Sequence, residues 1–220
     1  MTPQRAGAIA GALALAAGGV GGALERGWPS SDDAAAVAAF VRDNGPAVLG
    51  QSAGFVLSAA FYILFLSALR ARLKSTEGDG AWLSAAMFGA GLVWVTLSIL
   101  AQALQTGVAT AALHGVEPPQ ALLWTLVSVF GVANLPAALM LTAVGVAIVR
   151  GRAFPLWLGW IALAAALAQA VLTAGAFVPS GPLSATGWAT YALYPVFLVW
   201  LLPTIVLMWS SRSADAPGAR

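Results

Sequence analysis

Every side chain able to do chemistry inside the apolar parts of this sequence is uncharged. Six stretches, at about 6–24, 46–69, 81–107, 120–149, 154–178 and 187–209, contain no Asp, Glu, Lys, Arg or His. An ionisable group at membrane depth is the usual mark of a proton relay or ion pathway, and general acid–base work calls for positioned titrating groups. Their absence argues against proton-coupled transport and against acid–base catalysis at depth, and leaves neutral, uncoupled transport open. With no cysteine, disulfides, thiolate metal sites and cysteine nucleophiles are excluded. One histidine, His114, near Glu117 and Pro118-Pro119, is too few for a histidine metal cluster. It reads as a solvated residue at a helix end, with pH sensing the minor alternative. No metal, cofactor or catalytic residue is expected.

What remains is a patterned set of neutral polar residues. On the third stretch Ser98, Gln102, Gln105, Thr106 and Thr110 recur at helical spacing and share one face. Gln51, Ser58 and Tyr62 do the same on the second stretch, Gln169 and Thr173 on the fifth, and Tyr191 and Tyr194 on the sixth. Two readings stand. Such groups can pair across helices as interhelical glue, gaining about 0.6 and at most about 2 kcal/mol each. Alternatively they line an outward-opening cavity for a ligand with an apolar body and a few hydrogen-bonding groups. The ligand-binding candidates are then Gln51, Ser58, Tyr62, Ser98, Gln102, Gln105, Gln169, Tyr191 and Tyr194. Pro136, with Asn134 beside it, and Pro195 and Pro203 each remove a helix donor. They are candidate hinges, although structural kinks are the plainer reading.

The elements that must position these residues are membrane helices. The chain of 220 residues is 60% hydrophobic and only 8% charged, with a mean hydropathy of +0.86. Soluble domains carry about 25% charged residues, so a surface this poor in charge belongs in lipid. Each stretch approaches or exceeds the roughly 20 residues that span a 30 Å hydrocarbon slab. The expected fold is all-α: a polytopic six-helix membrane domain over 1–210, with a disordered cytoplasmic tail at 211–220. Of ten Lys and Arg residues, eight fall on one side if the N-terminus is cytoplasmic: Arg5, Arg70, Arg72, Lys74, Arg150, Arg152, Arg212 and Arg220. Only Arg26 and Arg42 fall outside, which predicts N-in, C-in. The pI near 9.5 therefore reflects orientation signals, and no nucleic-acid partner is expected.

Local signals add detail. The first stretch also resembles a secretory signal peptide, but its apolar run exceeds a typical h-region and no small-x-small cleavage site follows. Retention as a membrane helix is expected. Its pairs Gly7/Gly11 and Gly18/Gly22 allow close backbone approach, predicting tight packing within the chain, or a homodimer or membrane partner through this helix. Ser30 to Asp33 can open a short amphipathic helix at about 31–43, stopped by Asn44-Gly45, on the outer interface or over the bundle mouth. Leu69-Arg70-Ala71-Arg72 and Val149-Arg150-Gly151-Arg152 echo one another. Convergence on what an inner turn demands explains this better than a duplicated hairpin.

With the segments placed, the chain resembles a family of uncharacterised bacterial, often actinobacterial, six-helix membrane proteins. The resemblance lies in the small-residue helix from Arg5 to Gly22 and the outer Ser-Asp-Asp segment through Phe40-Val41-Arg42-Asp43-Asn44. It continues in Phe61 to Leu69-Arg70-Ala71-Arg72 and in Pro155-Leu156-Trp157-Leu158-Gly159-Trp160. It covers most of the chain and implies fold and membrane location. It carries over no activity and no site residue. The leading expectation is a non-enzymatic membrane protein holding a lipophilic small molecule, or a partner, through an outer-leaflet polar face among membrane lipids. A small uncoupled permease or exporter component comes second, and a membrane-embedded enzyme with an unseen cofactor third.

Overall fold

A computed structural model of the chain describes residues 1–25, 27–78, 80–178, 181–184 and 188–210, apart from the side chain of Tyr191. The tail expected at 211–220 lies outside the described residues. The chain is 84% helical with no strands among the described residues, so it is an all-α protein. Its helices are α1 (Pro3–Ala23), α2 (Ala34–Glu77), α3 (Trp82–Leu113), α4 (Gln120–Gly151), α5 (Leu156–Gly175), α6 (Trp188–Leu193) and α7 (Val196–Ser210). At 1.5 Å per residue, α1 to α5 are each long and apolar enough to cross a membrane. Successive long helices pack as neighbours from α1 to α5, and α7 closes the bundle against α1 and α5.

Small residues set the α1–α2 spacing. A Cβ at Gly7 would lie 2.3 Å from the Cβ of Ala68, and one at Gly54 would lie 2.9 Å from the Ala17 carbonyl oxygen. Gly11 and Gly18 face Phe65 and Ser58 in the same seam, whereas Gly19 and Gly22 face open space. The close approach expected of α1 is thus used inside the chain, against α2 and α7. Beneath it lies a core of Phe65, Leu66, Leu69, Met140, Leu141 and Trp200, all fully buried.

The segment expected as a short separate helix stopped at Asn44-Gly45 is instead the first three turns of α2, which continues for 44 residues. The stop signal loses to packing. Val37, Ala38, Val41 and Val48 bury against Val108, Ala109, Ala112, Leu123 and Leu126 in a second core. Each buried valine contributes about 1.5–3 kcal/mol, against roughly 1 for a helical glycine and 3 for Pro46. Gly45 is needed for contact: a Cβ there would meet Leu113 Cδ2 at 2.6 Å. Asn44 donates to the Phe40 carbonyl of its own helix at 2.9 Å. The start of α2, the end of α3 and the start of α4 therefore form a helical cap at one end of the bundle. Gln120 Nε2 donates to the Ser31 carbonyl and Trp124 Nε1 to Asp32 Oδ1 at 3.0 Å, pinning the preceding loop to it.

The three prolines behave differently. Pro136 and Pro203 sit within continuous helices, whereas a turn at Tyr194-Pro195 separates α6 from α7. Pro195 offers no N–H to the Tyr191 carbonyl, and the helix restarts with Phe197 donating to Tyr194 O and Leu198 to Pro195 O. The stretch expected as one sixth span is thus a six-residue and a 15-residue helix.

Candidate functional site

The polar stripes of α2 and α3 meet in a buried cluster. The two helices run antiparallel, and Gln105 Nε2 donates to Ser52 Oγ at 3.0 Å and to Gln51 Oε1 at 3.4 Å. All three side chains are at most 5% exposed. Eleven residues along each helix, about 16 Å away, Tyr62 meets Trp94 edge-on with ring centroids 5.0 Å apart. The two contacts fix one register. Ser52 is the member that spacing does not reveal, because it lies off the face carrying Gln51, Ser58 and Tyr62. Its only sequence signal is adjacency to Gln51.

The other expected positions disperse. Ser58 Oγ donates to the Ala14 carbonyl of α1 at 2.8 Å, and Ser98 Oγ bonds back to Trp94 O on its own helix. Gln102 is buried at 4% exposure, and its Oε1 has no hydrogen-bond partner among the described residues. Gln169 is buried on α5, and its carbonyl accepts from Thr173 Oγ1. Tyr62 lies among Phe65, Trp94 and Phe197, its hydroxyl buried without a partner among the described residues, as is Trp200 Nε1. Tyr194 is half exposed at the α6–α7 turn, and the side chain of Tyr191 lies outside the described residues. Asn134 Nδ2 turns back to Gly131 O of its own helix at 3.1 Å and does not reach the Val132 carbonyl, the one that Pro136 leaves without its helical donor. The structure therefore brings Gln51 and Gln105 together and places Ser58, Ser98, Gln169 and Tyr194 at separate points.

A concave surface exists nearby. An open groove of about 490 Å³ runs between α3 and α4, lined by Leu97, Trp124, Thr125, Ser128, Val129 and Val132, with Ala121 at its edge. Thr125 Oγ1 is tied to the Ala121 carbonyl at 2.7 Å, and Ser128 is exposed. The groove adjoins the cap: Ala121 and Trp124 in the first turns of α4 line it, and Trp124 is the residue bonded to Asp32. None of the polar-stripe residues lines it. Spacing did not single it out, because its hydroxyls sit on an apolar face where sequence shows only Thr and Ser among Leu and Val.

At this same end, Glu25 follows α1. Desolvation raises its carboxyl above the usual carboxylate range. Among the described residues, no group of three or more His, Cys, Asp or Glu could hold a metal ion. No protein-family model, curated protein or solved structure matches the chain. What the fold defines is an all-helical protein with the build of a multi-pass membrane protein.

Proposed function

We propose that this chain is a six-span, non-enzymatic membrane protein that holds a lipophilic molecule in the groove between α3 and α4, within the outer leaflet. In this reading α6 and α7 together make the sixth span, and both termini lie in the cytoplasm. The arginine-rich turns after α2 and α4 then face inward. Exposed tryptophans support the placement: Trp82, Trp157, Trp160 and Trp209 ring one end, and Trp124 and Trp188 stand toward the other. The family resemblance to six-helix bacterial proteins belongs to the same proposal. The observation that carries the ligand reading is the groove itself, apolar along Leu97, Val129 and Val132 with Thr125 and Ser128 between. That lining suits an amphiphile with its chain along the valines and a polar group near Trp124.

A photoreactive benzoylphenylalanine at Ser128 tests this in native membranes. Val20, exposed on α1 in the same leaflet of this topology, serves as the control position. The proposal expects one species enriched at Ser128 over Val20. The same bulk phospholipids at both positions would refute it.

One observation favours a second reading, an uncoupled permease. The α6–α7 turn leaves the Tyr191 carbonyl without its helical donor, and discontinuous helices line substrate paths in transporters. This reading expects flux in proteoliposomes that persists without a pH gradient and changes on Pro195→Ala. Flux that stops without that gradient would contradict it.

A further inference from the structure

The opposite end of the bundle carries a second, smaller site. Where α2 ends, α3 begins and α4 ends, a cavity of about 170 Å³ is lined by Thr76, Glu77, Trp82, Leu83, Arg150 and Gly151, among others. Its walls come very close at one point: a Cβ on Gly151 would lie 3.0 Å from both the carbonyl oxygen and Oγ1 of Thr76. Glu77 is the last residue of α2, and its carboxylate is held rigidly. Oε1 accepts from the Leu83 N–H at 2.6 Å and the Ser84 N–H at 3.2 Å, and Oε2 accepts from the Ser84 N–H at 3.0 Å. The turn that allows this puts Ala81 in the left-handed region, with φ of 31°. Helix α3 has no cap from its own N-cap side chain, so Glu77 supplies it from the preceding helix.

A carboxylate offers about four lone-pair sites, and these contacts occupy three. One remains on Oε2. Arg150 stands in another wall of the same cavity, in the last turn of α4. It forms no ion pair or hydrogen bond among the described residues and is exposed. The neighbouring arginines differ. Arg72 donates to the Ala153 carbonyl at 3.1 and 3.3 Å and lies over Phe154, and Arg70 lies over Phe88. Arg152 is also exposed, but Arg150 is the guanidinium in the cavity lining, with five donors. A fixed negative charge and a free positive charge share one small cavity without pairing to each other.

That arrangement recognises a zwitterion. Water takes up about 30 Å³ per molecule, so the cavity holds some five or six waters' worth of ligand. This is the scale of a headgroup and far below that of a whole lipid. Trp82, 64% exposed at the rim, sits where tryptophan marks the boundary between membrane and water. We propose that this cavity binds a phosphoethanolamine group, its ammonium on Glu77 and Thr76 and its phosphate on Arg150. The membrane-facing source is an amine-bearing phospholipid; the water-soluble source is the free zwitterion. An ethanolamine ammonium has N–H donors for Oε2 and the Thr76 oxygen. A choline headgroup has none, and a glycerol headgroup has no positive charge. The lipid form of the proposal rests on the membrane reading given above; the free-zwitterion form does not.

Native mass spectrometry of the detergent-solubilised protein, with phosphatidylethanolamine, phosphatidylcholine and phosphatidylglycerol added at equal concentration, tests it. Retention of the ethanolamine lipid should exceed that of each other lipid by about fivefold, the upper range for a partly exposed ion pair. Glu77→Gln keeps an acceptor for the α3 amides and removes the charge, so this preference should disappear. Arg150→Gln changes an exposed residue and leaves the cap untouched; it should lower retention of the ethanolamine lipid even if Glu77→Gln fails to fold. Free O-phosphoethanolamine is added separately. If it displaces the lipid at micromolar concentration, the soluble zwitterion is the ligand; if only the lipid binds, the headgroup is. Equal retention of the three lipids with no binding of the free compound overturns the proposal. So does a preference for the glycerol lipid, or retention of the ethanolamine lipid unchanged by Arg150→Gln. Failure of the membrane reading shows itself separately, as a chain that stays monodisperse without detergent.

Discussion

Gln102 and Gln105 lie three residues apart on the same helix face and are both buried, yet they should respond oppositely to the same substitution. Gln105→Leu nearly conserves volume and removes the bonds to Ser52 at 3.0 Å and Gln51 at 3.4 Å. A side-chain bond between membrane helices contributes on average about 0.6 and at most about 1.7 kcal/mol. The longer of these two bonds belongs near the bottom of that range. Leaving the Gln51 amide oxygen buried without a partner adds a further cost, up to about 1–3 kcal/mol where nothing relaxes. Ser52 can turn its hydroxyl to a carbonyl one turn back on its own helix, which recovers part of the loss. The expected destabilisation is therefore about 1–2 kcal/mol. Gln102→Leu removes an amide oxygen that already lacks a partner, so it should leave stability unchanged or raise it. Reversible unfolding in mixed micelles measures both. A double-mutant cycle of Gln105→Leu with Ser52→Ala should return a coupling near 0.6–1.7 kcal/mol. Equal destabilisation by the two glutamine changes, or a coupling near zero, would refute the assignment of Gln105 to packing.

Further expectations follow from single contacts. Gly7→Ala places a Cβ 2.3 Å from that of Ala68 and should cost about 1–3 kcal/mol through overpacking. Gly22→Ala meets open space and should stabilise α1 by up to about 1 kcal/mol; the same unfolding assay separates them. Glu77→Ala removes the remote cap of α3 and should cost about 0.5–2 kcal/mol, read as a lower melting temperature. Glu25 has a raised carboxyl in the folded chain, so folding favours its protonated form. Its contribution is most favourable below the unfolded carboxylate range and declines as pH rises through the folded value. Glu25→Gln should accordingly raise thermal stability at neutral pH and have little effect at acidic pH; a stability difference independent of pH would count against the desolvation.

Helical spacing made the main architecture legible. The i, i+4, i+7 pattern of Ser98, Gln102 and Gln105 put the two glutamines on a face that is buried, where Gln105 meets α2. Gly7 and Gly11 announced a close helix contact, although only coordinates show that the neighbours are Ala68, Phe65, Met208 and Ile205 of the same chain. Asn44-Gly45 misled because a local stop signal says nothing about Leu113, which needs the glycine as a contact surface. The prolines carry the same local message three times. Pro136 is buried in α4 between packed neighbours, and only Pro195, exposed near the bundle rim, separates two helices. The cap on α3 was invisible for a related reason: Glu77 reads as a charge in a turn until the backbone brings the Leu83 and Ser84 amides to it. The groove between α3 and α4 likewise depends on how the two helices pack, which no periodicity encodes.

In the proposed reading the buried amides hold the bundle together and the α3–α4 groove holds the lipophilic ligand. Native mass spectrometry of the mildly solubilised protein, with identification of what co-purifies, tests it most directly across three proteins. A stoichiometric lipophile should accompany the wild-type chain and Gln105→Leu, and should be lost from Ser128→Trp, which fills the groove from an exposed position. Loss from Gln105→Leu with retention in Ser128→Trp, or a wild-type chain carrying only lipids in membrane proportions, would contradict it.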